Sequence, residues 1–203
     1  MAYLHFTPGR DTVSATPCYP RPMVPNAETE RLVLRPLGLA DADQIQAIFP
    51  HWEIVRYLLT RVPWPYPTDG ARDFIQQVAL PDIVSGVSWI WTLRLKSAPE
   101  QIIGTLELRR GEDNRGFWLG LPWQGRGLML EACAWANDYW FDMLGFSILR
   151  VSKAIANESS RRISLRQGMR LVGTSERDYV SGRLPSETYE LTAEEWHAHK
   201  HEP

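Results

Sequence analysis

The 203-residue sequence is short of several features, and each shortage excludes a class of protein. It holds only two cysteines, Cys18 and Cys133, far apart in the chain. Two distant thiols make neither a disulfide framework nor a metal site, and they suit a reducing compartment. Charge of one sign is also missing: 22 Lys and Arg stand against 24 Asp and Glu, a formal net charge of -2. No basic excess argues for nucleic acid or an anionic membrane, so neither partner is expected. No apolar run approaches the roughly 18 residues of a membrane span. No charged segment followed by an apolar run opens the chain, so no secretory leader is expected and a cytoplasmic location is. His197, His199 and His201 alternate in the tail, a setting that does not make a metal site, and no metal is assigned.

What is present suits one globular domain with a full core. The apolar fraction is 44%, and nine tryptophans supply large core side chains with some left to line a cleft or subunit contact. Pro8, Pro17, Pro20, Pro22 and Pro25 fall in a stretch without apolar periodicity. Residues 1–27 therefore read as an irregular extension, and residues 28–203 as the domain. A monomer or a homodimer fits this plan.

The domain opens with a strand at 31–35 and a helix at 41–49, ended by Pro50. A short helical piece at 53–59 leads to Val62-Pro63-Trp64-Pro65-Tyr66-Pro67, a stiff, extended aromatic loop. Thr68 is placed to cap a helix running to about Ala79. Strands at 88–95, 101–110 and 115–121 form an antiparallel meander. A mostly apolar helix from about Gly125 to Leu144 follows, with Glu131, Asp138 and Asp142 on one polar stripe. A strand at 149–156 comes after this helical crossover, so it is expected parallel to the strand before the helix. A helix at 158–167, a hairpin of strands at 170–179 and 185–191, and a final short helix complete a mixed α+β plan around one sheet.

The chain is organised around Trp123-Gln124-Gly125-Arg126-Gly127-Leu128-Met129. Its glycines let the backbone turn and a ligand come close. The first amides of the next helix lack internal partners and lie at the positive end of the helix dipole. Strand, turn and helix start together suit a phosphate or pyrophosphate. A Walker loop would need Gly-Lys-Ser/Thr, but Leu128 follows Gly127. A dinucleotide fingerprint would need a third glycine where Leu130 stands, at the start of a βαβ chain rather than after a meander.

In this order of elements the sequence resembles the GNAT acetyltransferase superfamily, and most of all its branch of RimJ/RimL-type ribosomal-protein N-terminal acetyltransferases. Gln124-Gly125-Arg126-Gly127-Leu128-Met129 lies over the acetyl-CoA loop pattern Gln/Arg-x-x-Gly-x-Gly/Ala, and Trp123 with Glu131-Ala132 matches the branch's local form. Asn157-Glu158-Ser159-Ser160-Arg161-Arg162 resembles the family's Asn-x-x-Ser-x-Arg segment. The opening Thr29 to Pro36, the Pro63 to Tyr66 loop and the closing Leu191 to Trp196 also resemble this branch. Two positions depart from it: Met129 replaces a small residue, and the Glu often found near position 114 is absent.

The resemblance implies a GNAT fold, a mostly antiparallel sheet splayed at two parallel strands and flanked by helices. It implies acetyl-CoA-dependent N-acetyl transfer to a primary amine, a protein N-terminus or a small molecule, by direct attack on the thioester. Pantetheine would pair with Trp118, Leu119, Gly120 and Leu121. The pyrophosphate would rest on the amides of Gln124, Gly125, Arg126, Gly127, Leu128 and Met129, with Arg162 near the phosphates and Asn157 orienting cofactor or water. Ser160 is the candidate proton donor to the thiolate. Glu107 is the candidate base, against an ordinary strand residue paired with an arginine or a base of backbone carbonyls and water. Trp64 and Tyr66, with the final hairpin around 179–185, would wall the acceptor. The alternative is a non-catalytic acyl-CoA-binding or regulatory protein on the same fold.

Overall fold

The computed structural model describes residues 24–201. Most of the expected extension, residues 1–23, lies outside the described residues. Strand pairing starts at β1, Ala27–Glu28, on β2, Leu32–Pro36. Pro25 also belongs to the fold, since its carbonyl accepts the Trp91 indole N–H at 2.8 Å.

Helices α1 (Ala42–Ile48) and α2 (Trp52–Val55) follow, then α3 (Gly70–Phe74), a π turn (Ile75–Ala79) and α4 (Leu80–Ser85). The helical path expected to stop near Ala79 runs on to Ser85 and ends on Gly86, at φ 74°. Pro81 has no amide to donate, and it follows directly on the π turn, where the Leu80 amide already reaches back to the Ile75 carbonyl and the helical ladder is shifted. Thr68 does not cap this run; Asp69 holds the N-cap position without a side-chain bond.

Strands β3 (Ser88–Leu95), β4 (Ala98–Arg109) and β5 (Arg115–Leu119) form the meander, giving an antiparallel sheet ordered β1-β2-β3-β4-β5. β3 is buried almost throughout because both sheet faces are covered. Trp89, Trp91 and Leu93 face α5 (Leu128–Asp138), whereas Ile90 joins Ile45, Phe49, Val55, Ala71 and Ile75 on the other face. Period-2 alternation places successive side chains in two separate apolar layers, and each layer stabilises the sheet by removing apolar area from water.

α5 begins at Leu128, three residues later than expected. Gly125 and Gly127 hold φ of 74° and 76°, outside the helical region, so the glycine segment stays loop. The helix ends in a π turn at Tyr139–Met143. Its polar stripe is a docking strip: Asp138 accepts from the Trp196 indole and Lys200, and Asp142 bonds His197, all on α7 (Ala193–Lys200). α7 carries a capping box between Thr192 and Glu195.

The remaining strands, β6 (Ile148–Ala154), β7 (Arg170–Tyr179) and β8 (Gly182–Thr192), form a second antiparallel sheet ordered β6-β8-β7, with α6 (Glu158–Arg166) between β6 and β7. The expected single sheet is thus parted. β6 does not make a ladder with β5; the two strands meet through Asn114 and Arg150 and through Phe117 and Lys153. Among the described residues no helix is long and apolar enough to cross a membrane.

Candidate active site

The parting of β5 and β6 makes the site. At its closed end the Asn114 amide donates to the Arg150 carbonyl at 2.7 Å, and Asn114 Oδ1 accepts the Arg150 amide at 2.7 Å. The Asn114 side-chain amide donates to the carbonyls of Arg109 and Gly111. Asn114 is buried, and it acts as a pin joining the meander to β6. The position where the branch often carries Glu is therefore occupied by a structural amide that needs both donors and an acceptor.

Three residues along each strand, the Lys153 ammonium lies 4.8 Å from the Phe117 ring. Asn114 matches Arg150 and Phe117 matches Lys153 with the same spacing, so β5 and β6 run in the same direction, as expected. Beyond this pair the strands diverge around a cleft of about 1520 Å³.

The backbone of β5 offers one edge to that cleft. The Arg109 amide donates to the Asn114 carbonyl at one end, and the Gly120 amide to the Ile103 carbonyl at the other. Antiparallel alternation between these points turns the peptide groups of Gly116 and Trp118 toward β4, and those of Phe117 and Leu119 toward the cleft. Trp118, Leu119 and Leu121 line the cleft, whereas Gly120 does not. A Cβ at Gly120 would lie 2.7 Å from the Trp123 ring, so this glycine serves the packing of Trp123.

Gln124 to Met129 also line the cleft. The Gln124 side chain donates to the Leu119 carbonyl at 2.8 Å, tying the loop to the end of β5. The first bond of α5 runs from the Glu131 amide to the Gly127 carbonyl, so the amides of Leu128, Met129 and Leu130 have no intrahelical partner. The Met129 side chain is buried in the core beneath, leaving the backbone open to a ligand. Glu131 braces the loop from behind: it accepts from Thr29, from the Arg31 amide at 2.8 Å and from Arg31 Nε at 2.7 Å, while Arg31 Nη1 donates to the Arg126 carbonyl at 2.9 Å. These bonds hold the Glu131 carboxyl below its ordinary range despite partial burial. The Glu of the Glu131-Ala132 motif is thereby a support for the loop.

α6 supplies the facing wall. Asn157 caps it, its Oδ1 accepting the Ser160 amide at 3.3 Å, and Asn157, Ser160 and Arg162 all line the cleft. Ser160 is buried, while Arg162 is exposed and pairs loosely with Glu158 at 3.7 Å. Arg161 turns away to hold Glu187, with Nε at 2.6 Å.

Glu107 lines the cleft from β4. Its side chain is 16% exposed and lies 3.5 Å from Arg109 and 3.7 Å from Arg61. Desolvation nevertheless outweighs both cations and pushes its carboxyl above the usual range. Tyr66 lines the same region, packed edge-on to Phe49 at 5.0 Å, and burial pushes its hydroxyl up to about 12. Trp64 is separated from it: it is half exposed, packs on Trp52 at 5.7 Å and is outside the cleft lining. The β7–β8 hairpin closes over this end, as the amides of Val180 and Ser181 donate to the carbonyls of Leu58 and Arg56.

Two further cationic groups meet at the closed end, Arg115 and Lys153. Arg115 is buried, and among the described residues it bonds only to neutral partners, Asn137 at 2.5 Å, Gln167 at 2.8 Å and the Met169 sulfur. Lys153 lies nearby, its ammonium held down to about 8 by desolvation first and by Arg115 next. Neither has a local sequence signal, because the pairing of β5 with β6 brings them together. Among the described residues no group of three or more His, Cys, Asp or Glu side chains is arranged to hold a metal.

The arrangement has an extended strand edge for an amide-bearing arm, a helix start for a diphosphate and a carboxylate facing the junction. The Acetyltransferase (GNAT) domain family matches residues 31–170. No curated protein matches the sequence. Among solved structures, the ribosomal-protein-S5-alanine acetyltransferase of Vibrio fischeri is 17% identical with a TM-score of 0.71, over 84% of this chain and 98% of that one. RimJ of Mycobacterium smegmatis, solved with CoA-disulfide, is 17% identical with a TM-score of 0.72, over 84% of this chain and 88% of that one. The microcin C7 self-immunity acetyltransferase MccE, solved with acetyl-CoA and AMP, is 16% identical with a TM-score of 0.69, over 80% of this chain and 93% of that one. The structural likenesses are of fold, and the domain match covers most of the chain: this protein belongs to the GNAT acetyltransferase family and is an acetyl-CoA-dependent N-acetyltransferase.

Proposed function

We propose that the cleft between β5 and β6 carries acetyl transfer from acetyl-CoA to a primary amine, with a protein N-terminus or a small-molecule amine as acceptor. The observation that carries this reading is the splay itself. One strand edge, Phe117 and Leu119, faces the cleft between the helix start at Gly127 and the Asn114 pin. In this reading the pantetheine amides pair with Phe117 and Leu119. The pyrophosphate rests on the amides from Gln124 to Met129, where helix-end charge favours an anion. Arg126 and Arg162 lie within the same lining and suit the remaining phosphates.

The acceptor enters beside Tyr66 and under the β7–β8 hairpin. It arrives largely as an ammonium, since an α-amine has a pKa near 8 and a lysine above 10. Glu107 takes a proton from it, directly or through a water, and the neutral amine attacks the thioester carbonyl. The raised carboxyl of Glu107 suits that role better than an ordinary surface glutamate, because its basicity lies nearer neutral pH. Ser160 offers its hydroxyl to the sulfur side of the thioester, and Asn157 fixes the helix turn that carries it. The protein acts in the cytoplasm as a monomer or homodimer.

The test is thiol release from acetyl-CoA on addition of amines and short peptides, with CoA binding followed by calorimetry. Release that depends on the amine supports the reading. Tight CoA binding with no release across a broad panel supports a binding protein instead. Absence of CoA binding removes both.

A further inference from the structure

We propose that Lys153 is the acid that protonates the departing coenzyme A thiolate. This rests on the acetyl-transfer reading and adds a catalytic group that the sequence did not reveal.

Lys153 lines the cleft, and its ammonium sits over the Phe117 ring of the facing strand. Phe117 turns its peptide groups into the cleft just past the Asn114 pin. An acyl arm laid along Phe117 and Leu119 with its phosphates at Gly127 points its thioester toward that pin, and hence toward Lys153. The groups around the lysine come from every side: Arg115 on β5, Asp113 before β5, Cys133 on α5 and Arg177 on β7, with the lysine's register partner Glu187 on β8, a carboxylate that Arg161 of α6 already holds at 2.6 Å. Asp113 is already committed, accepting from Arg177 at 2.5 Å and from the Ser152 amide at 2.6 Å. Among the described residues no carboxylate is hydrogen-bonded to Lys153 or Arg115. This end of the cleft therefore carries surplus positive charge, which favours a group that becomes negative during the reaction.

The chemistry matches the geometry. Collapse of the tetrahedral adduct breaks the C–S bond, and the electron pair leaves on sulfur. Ser160 can hydrogen-bond that sulfur, but a hydroxyl is a poor net source of a proton. Lys153, at about 8, is close to the roughly 8.5 of an ordinary thiol. Proton transfer is thus nearly balanced, and the lysine is mostly charged at neutral pH. The ammonium at Nζ gives one proton to the thiolate and regains one from solvent. The acceptor ammonium loses two protons in becoming an amide, so one net proton is released for each thiol formed.

The experiment measures kcat against pH for the parent, Lys153→Gln and Lys153→Arg, with CoA affinity by calorimetry as the check on folding. The parent should lose kcat on the alkaline side near the lysine's pKa. Lys153→Gln should lose about 10²-fold in kcat, the usual scale of general acid catalysis, while binding CoA nearly as before. It should also lose the alkaline fall. Lys153→Arg should stay slow, because a guanidinium keeps its charge but does not give up its proton. Parent-like kcat in Lys153→Gln, or full rate in Lys153→Arg, overturns the assignment. Where Lys153→Gln does not bind CoA, Lys153→Arg and the parent profile decide, and a parent without the alkaline fall overturns it. A parent that releases no thiol with any amine overturns the transfer reading itself, a result distinct from active parent and variant alike.

Discussion

Replacing Asn114 by alanine tests whether one buried amide holds the two sheets at the angle that makes the cleft. The substitution leaves the backbone bond from Asn114 to the Arg150 carbonyl but removes three side-chain bonds: from the Arg150 amide at 2.7 Å, to the Gly111 carbonyl at 2.8 Å and to the Arg109 carbonyl at 3.2 Å. At about 1 kcal/mol net for each bond the loss is about 3 kcal/mol, and an orphaned Arg150 amide adds to it. For a domain of this size that corresponds to a Tm lower by about 6–12 °C. Urea denaturation followed by tryptophan fluorescence should show a lower midpoint with an unchanged slope. The functional signature should be selective. kcat should fall because the strands part at the thioester end, whereas CoA affinity should hold because the glycine loop is braced separately by Arg31 and Glu131. Asn114→Asp keeps the acceptor for Arg150 but loses both donors and buries a charge, so it should gain stability as pH is lowered. A Tm change within about 2 °C for the alanine variant would refute the pin, since even two lost bonds exceed that.

Further outcomes follow from the site. Gly127→Val should weaken CoA binding about tenfold, or 1.4 kcal/mol, because a β-branched residue resists φ of 76° and crowds the diphosphate; unchanged affinity by calorimetry would remove the loop from the site. Glu107→Gln should lower kcat by about 10²-fold or more and abolish an acid limb of kcat/KM lying above the ordinary carboxylate range. Its folded pKa is raised, so Glu107 loses stabilising effect as pH rises through that value. Thermal denaturation at pH 7 should therefore find the glutamine variant at least as stable as the parent. Tyr66→Ala should raise the KM for the amine more than that for acetyl-CoA. Trp64→Ala should do less, because it stacks on Trp52 outside the cleft; equal effects would undo the distinction.

Local pattern fixed much of this protein. Alternation in β3, the hairpin turns and the Gly125 and Gly127 turn depend on neighbours within a few residues, and each is readable along the chain. The order of those elements gave a mixed α+β plan around one sheet, and the splay and the acyl-CoA seat came from the resemblance that the motifs at Trp123 to Met129 and Asn157 to Arg162 carry. Boundaries were less legible where backbone chemistry overrode composition. The central helix starts at Leu128 because two glycines sit at positive φ, and the earlier helical run passes Pro81 because that ring follows a π turn in which the hydrogen-bond ladder is already shifted. Tertiary structure alone decided the rest. That Met129 points into the core, that Glu131 braces the loop and that Tyr66 parts from Trp64 depend on side-chain direction against distant elements. The role of Asn114 and the meeting of Lys153 with Phe117 depend on the register of two strands joined through a long helix. Sequence spacing carries no such register, because it is set by burial of α5 against the sheet and by the few hydrogen bonds at the point where the strands touch.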